Sequence, residues 1–370
     1  MHTTGSCSFP GIAMQSSPEP VLGLLTWDFA KPKGGMGHAM QSMPTALSHG
    51  GFDVRVFAPC PDAFPADPFL RFTKRFGGHL LFSALLPFIL HRRIREEAIT
   101  HLFLPVGPGG VFLLYRPKIP VIAIVYHTYA QQSRLVPGQR WKQFFVPLEH
   151  RTLRCADMIL CFCEDTKNVL IDHYHISPDR IRLLPHGIDI PFWSVPKEKR
   201  RGMVVCVARL EARKGVDVLL KAWKRVIEQL PEARLTIIGK GRLPSHAQSV
   251  DHRLHCSQAE LCACVGLSEI AICPSYLEGF GLACAEAMAA GTAVIASDTD
   301  GLRSLIHHER TGLLVKPGDE KQFAEAIIRL LRDDDLRRSL AGAAQAEACV
   351  RFDPSSAERE LVNVVRSLVG

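Results

Sequence analysis

No stretch of this chain approaches the ~20 consecutive apolar residues that a membrane-spanning helix needs. The longest strongly apolar run, Leu80–Leu90, has 11 residues and carries Pro87, which excludes a transmembrane anchor there. The first 20 residues are rich in Ser, Pro and Gly and lack the basic-then-apolar order of a signal peptide. They read as a disordered lead-in, and the expected location is cytoplasmic. Among the 12 cysteines there is no C-x-x-C pair; Cys161/Cys163 and Cys262/Cys264 stand at C-x-C spacing. That argues against a redox motif, a zinc ribbon or a disulfide framework. Most of the cysteines sit in apolar runs, where a reduced thiol behaves as a small hydrophobe. A dense basic stripe is also missing. The net charge of +7 divides into +5 over residues 1–190 (19 Lys/Arg against 14 Asp/Glu) and +2 beyond (25 against 23). A nucleic-acid groove is therefore not expected. The excess suits an anionic small ligand or an acidic membrane surface. Internal repeats and low-complexity tracts are absent too.

What is present is alternation. The 370 residues, 47% hydrophobic and 22% charged, fit two domains. Val21–Thr26 reads as a strand that ends in a glycine-bearing loop, Lys31–Gly37. A helix Ala39–His49 and a strand Asp53–Ala58 follow. His101–Pro105, Val121–Val125 and Met158–Phe162 extend a parallel sheet, with a helical stretch around Phe144–Arg154. Pro191–Arg201, with its two prolines and cluster of Lys/Arg, reads as a linker. The alternation restarts with strand Met203–Val207, helix Val216–Gln229 and strand Leu235–Ile238, which ends at Gly239-Lys240-Gly241. Strand Ile270–Pro274, helix Leu282–Ala290 and strand Ala293–Ala296 come next. Helices Phe323–Arg332 and Pro354–Leu368 close the chain, the second with Asp353 as N-cap and Pro at N1. Two doubly wound α/β domains are expected, and such domains bind ligands at the carboxyl ends of their strands. The expected division is a lead-in 1–20, a first domain 21–190, a linker 191–201, a second domain 202–352 and a terminal helix 353–370. That helix has the option of crossing back to the first domain.

The strongest chemical signal is P-S-Y-L-E-G-F-G-L-A-C-A-E-A-M-A-A-G, Pro274 to Gly291. It follows a buried strand and opens a helix. Gly279 and Gly281 let the backbone approach a ligand, and a helix N-terminus offers unpaired N–H groups and a positive dipole end. In physical terms this is a diphosphate site. Glu278 lies in the loop and Glu286 in the second helical turn; carboxylates accept hydrogen bonds from vicinal sugar hydroxyls. Taken singly, each reads as a cap or a solvated residue; together in this setting they read as a site. A second constellation, Arg209-Leu-Glu-Ala-Arg-Lys214-Gly215, follows a strand. Arg209 as a fork and Lys214 as a point charge can clamp two phosphates, and Arg213 could replace either. Gly239-Lys-Gly241 lacks the third glycine of a dinucleotide fingerprint, which disfavours an oxidoreductase.

Arg209…Lys214-Gly215, Gly239-Lys-Gly241 and Glu278-Gly-Phe-Gly-Leu…Glu286-Ala-Met-Ala-Ala-Gly291 together resemble the carboxy-terminal domain of family 4 glycosyltransferases. Gly34-Gly35-Met-Gly-His resembles the glycine-rich first loop of that family. Ala156-Asp157 through Val169, with Cys163 where Ser is usual, and Pro185-His186-Gly187-Ile188-Asp189 agree in order, so the resemblance spans roughly residues 21–350. It implies the GT-B fold, two Rossmann-like domains facing a central cleft, and a retaining, metal-independent hexosyltransferase without a cofactor. The implied partners are a nucleotide-diphosphate sugar and a glycan, lipid-linked or small-molecule acceptor, with no nucleic acid. By the same resemblance, Arg209 and Lys214 hold the donor diphosphate, Glu286 the ribose and Glu278 the transferred sugar. Gly34, Gly35, Gly239, Gly279, Phe280, Gly281 and Leu282 line the donor. His127 stands where the family carries a histidine facing the sugar, although on residues alone it reads equally as a satisfied histidine at a strand end. Front-face attack, with the departing phosphate taking the acceptor's proton, is the implied mechanism.

Other readings stay open. A phosphorylase on the same architecture would use inorganic phosphate at Arg209 and Lys214. A catalytically silent sugar-nucleotide binder would fit if the strand–helix unit usual before Pro274 were missing, as the polar stretch 244–255 suggests. A zinc site from His246, His252, His255, Cys256, Cys262 and Cys264 matches no common ligand spacing. Phe69–Arg95, aromatic and basic, reads first as a core helix with a solvated basic end. It reads second as an interfacial helix for peripheral membrane contact.

Overall fold

The computed structural model describes residues 20–26, 35–57, 78–243 and 249–369. In the first half, β1 (Val21–Leu25), α1 (Gly35–His49), β2 (Asp53–Phe57), α2 (Gly78–Glu96), β3 (His101–Val106) and β4 (Val121–Val125) lead into α3 (Tyr129–Leu135), α4 (Val146–Cys155), β5 (Met158–Cys161), α5 (Glu164–Asp172) and β6 (Ile181–Leu183). A short α6 (Ile190–Trp193) precedes β7 (Met203–Val207), α7 (Val216–Gln229), β8 (Arg234–Ile238), β9 (Val250–Arg253), α8 (Gln258–Leu267), β10 (Ile270–Cys273) and α9 (Leu282–Ala289). Then come β11 (Ala293–Ser297), α10 (Asp300–Arg303), β12 (Leu313–Val315), α11 (Glu320–Arg332), α12 (Asp334–Arg351) and α13 (Pro354–Val369).

These strands form two six-stranded sheets, β2-β1-β3-β4-β5-β6 and β12-β11-β10-β7-β8-β9, parallel throughout. Both are doubly wound α/β units, as the alternation implies. Parallel strands covered by helices on both faces must be apolar on both sides. Accordingly β4, V-I-A-I-V, and β11, A-V-I-A-S, are buried at every position. α7 presents Val218, Leu219, Ala222, Trp223 and Val226 to the second sheet, where they pack with Val204, Leu235 and Ile270. At ~25 cal/mol per Å², such side chains are the main stabilising term in each unit.

The chain reverses direction across the first sheet between β1 and β3, and across the second between β7 and β10. Crevices for ligands open at the carboxyl ends of strands flanking such switch points. α13 returns to the first sheet, burying Leu361, Val362, Val364 and Val365 among Leu22, Leu24, Met40 and Leu47. Its start is capped by Asp353, whose carboxylate accepts from Ser356 N at 2.8 Å.

One expectation is overturned. The segment before Pro274 does contain a strand–helix unit, β9 and α8. β9 is an edge strand whose four residues, V-D-H-R, alternate exposed and half-buried, so it lacks the apolar run that marks a central strand. α8 starts at a capping box built by Ser257 and Glu260.

Candidate active site

The second switch point gathers the basic and acidic residues singled out above. Arg209 lies just beyond the end of β7, and Lys214 closes a 3-10 turn, Ala212–Lys214, that leads into α7. Glu278 lies in the loop from β10 to α9. Lys214 Nζ donates to Glu278 Oε1, and Ser275 Oγ donates to the same oxygen at 2.8 Å. Arg213 Nη1 donates to Oε2 at 3.3 Å. Burial would raise the Glu278 carboxyl, but Lys214 and Arg213 outweigh it and hold the group at about 2. Lys214 itself is drawn below its ordinary value, by burial first and Arg213 second, with Glu278 opposing. The pair is ionic.

Arg213 is the buried member of the basic run. Besides Glu278, its guanidinium donates to Leu277 O at 2.8 Å and to Glu211 Oε1 at 3.1 Å. It therefore ties the β7 loop to the β10 loop, a role invisible in a sequence where three neighbouring cations look alike. Arg209 is more exposed and shares Glu211 Oε1 at 3.1 Å. Three cations, Arg209, Arg213 and Lys214, thus face two carboxylates, Glu211 and Glu278. An excess positive charge is left at the mouth of the crevice.

Glu286, in the second turn of α9, has no ion pair among the described residues. Burial pushes it up to about 8, so near pH 7 it mostly carries its proton. Gly281 caps α9 in the left-handed region, φ 99°, which favours glycine. Phe280 stacks on His186 with ring centroids 5.0 Å apart, and Leu282 opens the helix, half-buried. Gly239 packs against Ala208 and supports the Arg209 loop.

The first sheet contributes from the end of β4. A Cβ at Gly279 would lie 2.4 Å from Tyr126 O, so glycine there lets the donor-side loop press against the carboxyl end of β4. His127, the next residue, is half-buried. Burial, then Arg213, lowers its pKa; Glu278 opposes, and Lys214 and Lys142 add to the lowering, leaving it at about 3. The imidazole is neutral at pH 7. Lys142, in a 3-10 turn of the first domain, is lowered by burial and feels both Glu211 and Arg213. Gly35 opens α1; Gly34 lies outside the described residues. Arg209, Lys214, Glu278 and His127 thus converge.

Two family models tile the chain: Glycosyltransferase Family 4 over residues 33–191 and Glycosyl transferases group 1 over residues 188–347. The chain is a family 4 glycosyltransferase. This glycosyltransferase is 29% identical to a D-inositol 3-phosphate glycosyltransferase of Corynebacterium aurimucosum over 58% of each chain. The match thus spans under two thirds of that relative's length. It is 26% identical to a glycogen synthase of Mycobacterium tuberculosis over 89% of this chain and 90% of the other. Among solved structures, a sucrose-phosphate synthase from Thermosynechococcus elongatus superposes with TM-score 0.76 at 18% identity, covering 95% of this chain and 99% of the other. Anabaena HepE, solved with UDP and glucose, superposes with TM-score 0.70 at 14% identity, covering 94% and 100%. The shared fold is GT-B.

Among the described residues, no three His, Cys, Asp or Glu side chains gather as metal ligands. Of the zinc candidates, His252 Nε2 donates to Gly239 O at 3.0 Å and Cys262 Sγ donates to Phe192 O at 3.2 Å. His246 lies outside the described residues. No helix among them is long and apolar enough to cross a membrane.

Proposed function

We propose that this glycosyltransferase moves a hexose from a nucleotide-diphosphate sugar to a glycan, lipid-linked or small-molecule acceptor, with retained configuration and without a metal ion. The observation that carries this reading is the three-cation, two-carboxylate cluster at the β7/β10 switch point, beside the N-terminus of α9. Arg209 and Lys214 bind the diphosphate and stabilise the charge that develops on the leaving nucleotide, the electrostatic task of a divalent ion elsewhere. Glu278, ionised and fixed by Arg213, accepts hydrogen bonds from sugar hydroxyls. Glu286, protonated in the free enzyme, offers a donor and acceptor lone pairs to the ribose. Gly34 and Gly35 pass the first loop close to the donor, and Gly239, Gly279, Phe280, Gly281 and Leu282 shape its bed.

A fully ion-paired Glu278 is poorly suited to act as a nucleophile. By the resemblance to retaining relatives the proposed course is front-face attack: the bond from the anomeric carbon to the diphosphate breaks, the acceptor oxygen bonds to the same face, and the departing phosphate oxygen takes the acceptor's proton. Neutral His127 positions a sugar hydroxyl or the acceptor. Relatives named for inositol phosphate and glycogen chemistry, and a neighbour solved with UDP and glucose, favour a hexose on a uridine-type donor.

We place the enzyme in the cytoplasm with peripheral membrane contact. On α2, Phe82, Leu86 and Leu90 face the core while Leu80 and Phe88 are exposed, near Arg92 and Arg95, the composition of an interfacial helix. Flotation with anionic but not neutral vesicles tests that contact. A thermal-shift screen of nucleotide sugars, followed by NMR of the product's anomeric configuration in EDTA, tests the activity. Retained configuration with full turnover in EDTA is expected. Inverted product, or turnover abolished by the chelator and restored by a divalent ion, would contradict the reading.

A further inference from the structure

His127 sits on a turn whose backbone is held from four sides. Tyr126 O accepts from Thr166 Oγ1 at 3.3 Å. Thr128 N donates to Gln131 Oε1 at 2.8 Å, and Gln131 N donates back to Thr128 Oγ1 at 3.1 Å, closing a capping box at the start of α3. Gly107 packs so tightly that a Cβ there would lie 2.3 Å from His127 O and 3.7 Å from Glu149 Oε1. The fourth hold is Glu149. It comes from α4, 20 residues away in sequence, and is wholly buried. Both its carboxylate oxygens lie 2.9 Å from Tyr129 N, and Tyr174 O–H donates to Oε2. The Tyr129 ring is wedged between Phe112 (centroids 5.7 Å) and Phe145 (5.1 Å). No reading of donor or acceptor binding uses this carboxyl, and among the described residues no ion pair balances it.

A buried carboxyl is costly unless it is hydrogen-bonded, and the box of Thr128 and Gln131 satisfies only their own N–H groups, leaving Tyr129 N to Glu149. We propose that Glu149 is a positioning residue: by gripping Tyr129 N it fixes the turn that aims His127 at the reacting sugar. This rests on the reading of His127 given above. Two consequences distinguish it from plain support of the core. The grip is made through a backbone N–H two residues from His127, so loosening it moves the imidazole before it moves the sheet. It also lies entirely in the first domain, so donor binding by Arg209, Lys214 and Glu278 is left intact.

Burial pushes Glu149 up to about 8, with its hydrogen bonds from Tyr174, Tyr129 and Ala130 opposing. A neutral amide is therefore close to its state at neutral pH, and Glu149→Gln is the conservative variant. The charged groups that act on His127 are Arg213, Glu278 and Lys214 from the second domain and Lys142 from the first. The test follows the His127 ring by NMR in protein labelled at the histidine Cε1 carbon, assigned with His127→Asn. It compares wild type, Glu149→Gln, Glu149→Ala and Tyr174→Phe. In wild type and Glu149→Gln the His127 resonance is expected not to titrate down to pH 5. In Glu149→Ala it is expected to shift and titrate closer to the ordinary imidazole range. Tyr174→Phe, which deletes one hydroxyl, is expected to shift it in the same direction by less, and carries the test if Glu149→Ala fails to fold. With the donor found by the nucleotide-sugar screen, Glu149→Ala is expected to lower kcat about 10- to 100-fold with little change in donor KM, and Glu149→Gln to restore it. An unchanged His127 resonance in folded Glu149→Ala and Tyr174→Phe overturns the proposal. So does a loss of kcat that Glu149→Gln shares with Glu149→Ala. Absence of turnover with every donor would count against the transferase reading alone, since the NMR arm needs no substrate.

Discussion

The two central strands of the second sheet, β7 and β10, carry a buried ion pair at each end, and the pairs are built differently. At the amino end, Glu269 is saturated: Arg337 Nη2 donates to Oε1 at 2.6 Å and Gly202 N to Oε2 at 2.6 Å. Arg337 also donates to Leu330 O at 2.6 Å and meets Asp334 at 2.7 Å. Both Glu269 oxygens and both terminal nitrogens of Arg337 have partners within the fold, and the arrangement pins α12 to the sheet. At the carboxyl end, two cations crowd Glu278 while a third, Arg209, reaches outward. At the first end one cation bridges two carboxylates and the local excess is negative; at the second, three cations face two carboxylates and the excess is positive. Saturation suits a device that holds the fold, and surplus suits one that waits for an anion.

The largest effect should come from breaking the saturated end. Arg337→Ala strands a buried carboxylate, and a cost of about 3–5 kcal/mol in unfolding free energy is expected from urea titration. Turnover per folded molecule should stay close to wild type. Lys214→Ala should do the reverse. Arg213 and Ser275 still hold Glu278, so the fold is kept, while turnover falls about 10²–10³-fold, read by donor hydrolysis alongside the melting curve.

Titration sharpens the contrast further. Glu278 is held at about 2 in the folded chain and returns to the ordinary carboxyl range, ~4.5, on unfolding. Between those values the unfolded state binds more protons. The stability it contributes is therefore full above pH ~4.5 and is lost as pH falls toward 2. Glu278→Gln should flatten that acid limb. Glu286, raised to about 8, has the opposite sign: the folded state keeps the proton, so stability falls as pH rises from ~4.5 to 8. Glu149, also held at about 8, contributes a slope of the same sign, so Glu286→Gln should remove about half of that limb and Glu286→Gln with Glu149→Gln the rest. The smallest effect is expected at Gly281. Alanine there meets φ 99° and a Cβ 2.7 Å from buried Leu302 Cδ2, and should cost about 2 kcal/mol, measured as a shift in denaturation midpoint at unchanged slope.

How far all this was legible in the residues follows the same physics. Central strands such as β4, β7 and β11 announce themselves because burial on both faces demands continuous apolar runs. Edge strands are less uniform: β2, D-V-R-V-F, is legible from its alternating apolar residues, whereas V-D-H-R of β9 meets solvent along one side and reads as loop. α12 was also missed, because its buried face is Arg337, Leu340, Ala344 and Ala348, too small and polar to look like a core stripe. In the candidate site, Arg209, Lys214, Glu278 and Glu286 stood out because glycine spacing and strand ends mark them, and Lys214 and Glu278 meet at the β7/β10 switch point. Arg213 carried no signal of its own, since only the fold shows which of three neighbouring cations is buried. Glu149 was illegible for a related reason. A lone glutamate on an amphipathic helix looks solvated until Tyr129 and Tyr174 are seen to close around it.

The account stands on the claim that the carboxyl-end cluster is kept for a diphosphate while the amino-end pair serves the fold. The most direct test is calorimetric titration of a binding nucleotide-diphosphate sugar into wild type, Lys214→Ala and Arg337→Ala, at a temperature where all three are folded. Lys214→Ala should weaken binding about 10- to 100-fold, the worth of one charged hydrogen bond, and Arg337→Ala should leave it essentially unchanged. Wild-type affinity in Lys214→Ala, or an equal loss in both variants, would contradict it.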